Sequence, residues 1–118
     1  MSTAIKVRRV YEPAQPSDGT RVLVDRLWPR GLTKEAAAVD HWMRDLAPST
    51  ALRKWFGHDP ARWDEFRRRY AAELREREAQ LEALRDLARR GPVTLVFGAR
   101  DERHNDAVAL REILASRR

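Results

Sequence analysis

Apolar residues recur along this chain with two different periods, and the switches between them mark its elements. Ile5 and Val7, with Val10 beyond them, alternate with Lys6 and Arg8, the period-two pattern of a half-buried strand over 4–10. "YEPAQPSDG" carries two prolines and an Asp-Gly and reads as a loop. Within "RVLVDR", Val22, Leu23 and Val24 run together without a polar break, as a strand does when both of its faces are covered. "LTKEAAA" can form a short helix with Thr33 as its N-cap. Through "VDHWMRDLAP" the alternation returns, giving a third strand or an extended segment. Ser49 or Thr50 can cap a helix that buries Leu52, Trp55 and Phe56 and stops at Gly57.

The longest pattern follows. Asp59 as N-cap and Pro60 at the first helical position open it. Trp63, Phe66, Tyr70, Leu74, Leu81, Leu84 and Leu87 then return at helical spacing on one face, and Gly91-Pro92 closes the run. "REREA", 75–79, is thin in apolar residues, and a bend or a break into two helices belongs there. "VTLVF", 93–97, reads as a strand buried on both sides. "NDAVALREILASR", 105–117, reads as a last helix with Asn105 placed to cap it. Strands alternating with helices imply an α/β fold. The expectation is one domain over 1–118, a small three-layer sandwich whose mostly parallel central sheet of about four strands is flanked by helices.

Composition narrows the class. Hydrophobic residues make up 42% of the chain, enough for a core despite 36% charged residues. No apolar run approaches the ~20 residues of a membrane span. "MSTAIKVRRV" lacks the apolar segment of a signal peptide, so the expectation is a soluble cytoplasmic protein with no membrane partner. The absence of cysteine excludes disulfides, thiolate metal sites and a cysteine nucleophile. His41, His58 and His104 are scattered and show no HExxH; there is also no GxGxxG, no GxxxxGK[ST] and no GxSxG around Ser49. Neither a metal nor a cofactor is therefore expected.

Charge adds a direction. The formal net charge is +6, and only Lys6, Lys34 and Lys54 among the 24 basic residues are lysine. A basic chain attracts phosphate and nucleic acid. "RRRY", 67–70, with Arg89 and Arg90, offers nucleic acid a basic helix, but Glu65, Glu73, Glu76, Glu78 and Glu82 are interspersed, and a solvated helix face is the plainer account.

Three clusters could carry chemistry. In "VDRLWPRGL", Asp25 and Arg26 stand at the carboxyl end of a strand, where open α/β sheets bind ligands. Pro29 extends the residue before it, and an extended 26–30 would point Arg26, Trp28 and Arg30 to one side, two guanidinium forks beside an indole. The competing account makes Asp25 a structural ion-pair partner and Trp28 a lid on the core. "FGARDERHN" places Arg100, Asp101, His104 and Asn105 between a strand end and a helix N-terminus, where anions are favoured; the simpler account is a cap by Asp101 or Asn105 with the rest solvated, and for Asn105 the cap is the expected role. "KWFGHDP" sets His58 beside Trp55, where it is either an acid–base group or part of a helix junction.

The segments "DGTRVLVDRLWPRGLTK", "LAPSTALRKWFGHDPARWDEFRRRYAAEL" and "GPVTLVFGARDERHNDAVALREIL" resemble the YeaO-like proteins of the domain-of-unknown-function 488 family over about residues 5 to 115. The resemblance implies a small α/β domain and no established reaction. It is carried at Asp25, Arg26, Trp28, Pro29, Arg30 and Gly31, at Trp55, Phe56, Gly57 and His58, and at Asn105; position 100 departs from it, lysine being expected there as often as Arg100. The resulting expectation is a pocket for a small, phosphate-bearing anion at the carboxyl edge of the sheet. Arg26, Arg30, Arg100, His104 and Asn105 would bind it between stacking walls Trp28 and Trp55, with Asp25 and His58 as the acid–base pair if it is an enzyme. The alternatives are a nucleic-acid accessory protein and an interaction module.

Overall fold

Ile5–Arg9 (β1), Thr20–Leu23 (β2), His41–Trp42 (β3) and Val93–Phe97 (β4) form one parallel sheet in the order β1-β4-β2-β3. The computed structural model describes residues 5–116, so Ala4 of the expected first strand and Arg117 of the expected last helix lie outside it. Five α-helices accompany the sheet: Lys34–Ala37 (α1), Thr50–Phe56 (α2), Trp63–Leu74 (α3), Glu78–Arg90 (α4) and Asp106–Ser116 (α5). The architecture is the α/β sandwich expected from the alternation of periods.

The two faces of the sheet are unequal. Alternate side chains point to opposite faces, so Val22, Val24, Val93, Leu95 and Phe97 enter the larger core while Leu23 and Val96 enter a smaller one. The larger core is closed by Leu52 and Phe56 of α2, Phe66, Tyr70 and Leu74 of α3, Leu81 and Leu84 of α4, and Leu110 of α5. On the other face, among the described residues, the short α1 and the loops cover the sheet, through Ala37, Leu32, Trp28 and Trp42. Val10 belongs to this second face, opposite Ile5 and Val7.

Part of that thin face is ionic. Arg8, Arg21 and Thr94 share its register, and Pro16–Asp18, a 3-10 turn inside the expected loop, brings Asp18 over them. Asp18 is buried and takes Arg21 and Arg8, each at 2.8 Å. Arg21 is buried as well and also donates to the Ala37 carbonyl at 3.0 Å, while the Thr94 hydroxyl donates to the Asp18 carbonyl at 2.8 Å. The strand edge at this end fits closely: Gly19 sits at φ +63°, and a Cβ there would collide with the Pro92 carbonyl.

Local chemistry explains the boundaries. The Thr33 hydroxyl accepts from Ala36 N–H, and Ser49, not Thr50, caps α2 by accepting from Leu52 N–H. Gly57 ends α2 in a left-handed conformation. The third strand is shorter than the alternation suggested, because Arg44–Leu46 coils into a 3-10 turn after Trp42. Asp59 and Pro60 start a 3-10 turn, Pro60–Arg62, and the α-helix proper begins at Trp63. The helical run breaks at Arg75–Arg77, inside the apolar-poor stretch, and resumes as α4. The Asp59 carboxylate accepts from Ala61 N–H at 3.0 Å. Asp59→Ala should therefore cost about 1 kcal/mol through the lost cap, and an unchanged urea midpoint would show the cap to be idle.

Candidate functional site

The carboxyl ends of β2 and β4 and the first turn of α5 meet at one place. Asp25, just past β2, accepts Gly98 N–H, just past β4, at 2.8 Å. Its carboxyl group also faces that of Asp106 in α5 within hydrogen-bonding reach, an arrangement that favours holding one proton between two acids over two adjacent charges. Desolvation pushes Asp106 well above the usual carboxylate range, and the neighbouring Asp25 charge adds to the effect. Burial raises Asp25 too, opposed by the hydrogen bonds from Asp106 and Gly98 and by the charges of His58 and Arg53. Tyr70 of α3 lies behind the pair; burial raises its phenol, and the hydroxyl donates to the Leu46 carbonyl at 2.5 Å.

His58 reaches this neighbourhood through an unusual backbone. Gly57 and His58 are successive left-handed residues at φ 55° and 57°. For His58 that conformation costs about 1–2 kcal/mol relative to the right-handed one. The strain sits where the chain turns from α2 toward Asp59. There His58 is exposed, with its ring 6.4 Å from that of Phe56.

The DRLWPRG segment, 25–31, answers to a different geometry from the extended clamp. Arg26 turns inward and its Nε donates to the Pro48 carbonyl at 3.2 Å. Trp28 packs on the thin face, its ring 5.4 Å from Trp42 in an edge-on contact and its Nε1 donating to the Leu32 carbonyl at 2.8 Å. Pro29 is buried. Arg30 is exposed, and its carbonyl accepts the Tyr11 hydroxyl at 2.9 Å. Two members of the expected clamp thus hold the loop down, and the guanidinium of Arg30 has no partner among the described residues.

Around the other strand end, Asp101 organises the turn. Its carboxylate accepts Arg103 N–H and His104 N–H and holds His104 Nδ1 at 2.9 Å; the Arg103 bond first, then the His104 imidazole and backbone N–H, keep its pKa below the ordinary value. His104 stands edge-on to Trp63 at 5.2 Å. Asn105 is buried and spends its side chain on the turn, Oδ1 capping Val108 N–H and Nδ2 donating to the Asp101 carbonyl. Arg100 is exposed, and its side chain makes no ion pair or hydrogen bond with the described residues. Trp55 is half-buried beneath Arg69 and Arg62, whose guanidiniums lie 4.2 and 5.2 Å from its ring.

Asp106, Arg53 and Tyr70 were not among the residues expected at this edge. Asp106 left one readable signal, an acid in the first turn of a helix that starts where a central strand ends. Arg53 left none, because its approach to Asp25 depends on how α2 packs. An open cleft of about 360 Å³ lies elsewhere, between β3 and α4, lined by Trp42, Met43, Arg44, Asp45, Gln80 and Ala83. None of the expected site residues lines it. Among the described residues no cluster of three or more His, Asp or Glu side chains could hold a metal ion, and no helix is long and apolar enough to cross a membrane.

Comparison with known proteins agrees with the motifs. The family described as "Inactive DUF488-N3 subclade" matches residues 4–118. "Uncharacterized protein YeaO" of Escherichia coli (strain K12) is 44% identical over 112 residues, 95% of this chain and 97% of the relative. "Uncharacterized protein Mb3100c" of Mycobacterium bovis and "Uncharacterized protein Rv3073c" of Mycobacterium tuberculosis are each 45% identical over 115 residues, 98% of this chain and 97% of theirs. No solved structure matches significantly. With nearly the whole chain matched both by the family and by these relatives, the protein belongs to the DUF488 family of YeaO-like proteins, in the subclade described as inactive.

Proposed function

We propose that this chain is a binding domain without turnover, which takes a small phosphate-bearing anion at the carboxyl edge of its sheet. The observation that carries this reading is the distribution of unpaired cations. Arg53 lies within electrostatic reach of Asp25, Arg100 follows the end of β4, and neither has an ion pair among the described residues; His58 stands near Asp25 as a further polar group. The proton held between Asp25 and Asp106 removes one of the negative charges that would otherwise repel an anion there. His104 and Trp63 border the same turn. The absence of turnover is supported by the commitment of Asp25 to Gly98 and Asp106, and by the word "inactive" in the family description.

Calorimetric titration with inorganic phosphate and with phosphate-bearing nucleotides tests the reading. Arg53→Ala and Arg100→Ala should each weaken binding roughly tenfold, about 1.4 kcal/mol. Both should leave the melting temperature in place, because exposed arginines contribute little to stability. No heat from the native protein, or equal affinity in both variants and the native chain, would refute it.

The nucleic-acid reading has less support. Arg67 pairs with Asp64 and Glu112, and Arg68 and Arg69 both pair with Glu65, so the basic run is internally neutralised. The expected result is no binding to duplex DNA at low salt. Binding that weakens with salt would revive that reading, provided that removing these arginines lowers the salt slope by roughly 0.9 for each phosphate they neutralise.

A further inference from the structure

Among the described residues the most exposed large hydrophobic side chain is Leu27, which is 59% exposed. The exposure is imposed by its neighbours. On one side Arg26 is anchored to the Pro48 carbonyl; on the other Trp28 is anchored to the Leu32 carbonyl and Pro29 is buried. Asp25, one residue further back, accepts Gly98 N–H with its carboxylate and the Trp42 indole N–H with its carbonyl. With both flanks pinned, Leu27 cannot turn inward.

Tyr11, 39% exposed, is the other large hydrophobic residue on the described surface, and its hydroxyl bonds to the Arg30 carbonyl, which holds the two loops together. The cations beside them have no carboxylate partner among the described residues. Arg30 is unpaired; Arg9 lies 5.0 Å from the Tyr11 ring and gives its guanidinium hydrogens to the Ala99 and Gly98 carbonyls.

We infer that Leu27, Tyr11 and Arg30 form a docking surface for an acidic protein segment that presents an apolar side chain next to a carboxylate. A preorganised apolar contact costs little ordering on binding, and an unpaired arginine at its rim selects a carboxylate. Charge argues against a second copy as occupant. Each chain carries a formal +6, and a two-fold contact on this patch would bring the unpaired Arg30 of both copies into one interface with no carboxylate on the patch to meet them.

The test is selection of short random displayed peptides on the full chain, with counter-selection on Leu27→Ser. Enriched sequences should join Asp or Glu to an apolar residue. One such synthetic peptide, followed by fluorescence anisotropy, should lose roughly tenfold in affinity against Leu27→Ser and against Arg30→Glu. It should bind Arg53→Ala normally, which separates this surface from the phosphate site. Enrichment of neutral or basic sequences, or none beyond that on Leu27→Ser, would overturn the inference. So would a lowered melting temperature of Leu27→Ser, which would make Leu27 structural, or a dimer in sedimentation that this variant dissolves.

Discussion

Asp18→Ala should destabilise the protein by about 3–5 kcal/mol at neutral pH, the range for removing one partner of a buried ion pair. The carboxylate is the common acceptor for Arg8, Arg21 and the Gln15 N–H. Without it Arg21 keeps its charge in the interior with only the Val10 and Ala37 carbonyls as acceptors. Against a typical total of about 5–15 kcal/mol, that loss is a large fraction of the stability. The dependence on pH has a definite sign. Burial alone would raise the Asp18 pKa, but the hydrogen bonds from Arg8, Gln15 and Arg21 outweigh it and leave the group below its ordinary 3.8. A carboxyl with a depressed folded pKa contributes stability fully above its unfolded value, and that contribution is lost as pH falls through the folded one. Denaturant melts of both proteins at pH 7 and in acid measure the difference. A loss well under 1 kcal/mol at neutral pH would mean that water already reaches the pair.

The ease with which each feature could be read from the sequence follows from whether its cause is local. The strands at 20–23 and 93–97 and the caps at Thr33, Ser49 and Gly57 depend on neighbours in sequence, and all were legible. Arg21 is different: as the residue before an apolar run it looks solvated, and only the parallel register with Thr94, together with the turn that carries Asp18, makes it interior. The same holds at the site. That Asp25 stands at a strand end was readable; that its partner would be Asp106 rather than an arginine depended on β4 lying between β1 and β2. Trp28 packs into the thin face, where Trp42 is the one other large ring among the described residues. The pattern of residues 26–30 alone cannot express that contact.

The acid pair makes the second large prediction, with the opposite sign to Asp18. Desolvation first, then the charge and hydrogen bond of Asp25, hold Asp106 well above 3.8, so the folded protein retains a proton that the unfolded chain releases. Stability is then fully present below the unfolded pKa and declines as pH rises toward the folded one. The slope can reach about 1.4 kcal/mol per pH unit for the one retained proton. Asp106→Asn keeps a donor for Asp25 but cannot ionise, so its stability should lose the part of that decline carried by Asp106 and exceed the native value increasingly as pH rises above about 4. Arg53, His58 and Tyr70, the other groups near the pair, are present in both proteins, so subtracting the two curves isolates the shared proton. Urea melts from about pH 4 to 8 provide those curves. Parallel curves would mean that both carboxyls ionise independently, and the low-charge floor proposed for the anion site would fall with them. If the curves diverge as expected, phosphate affinity of the native protein should hold while they diverge and weaken only where the divergence levels off, as the pair loses its proton and regains its second negative charge.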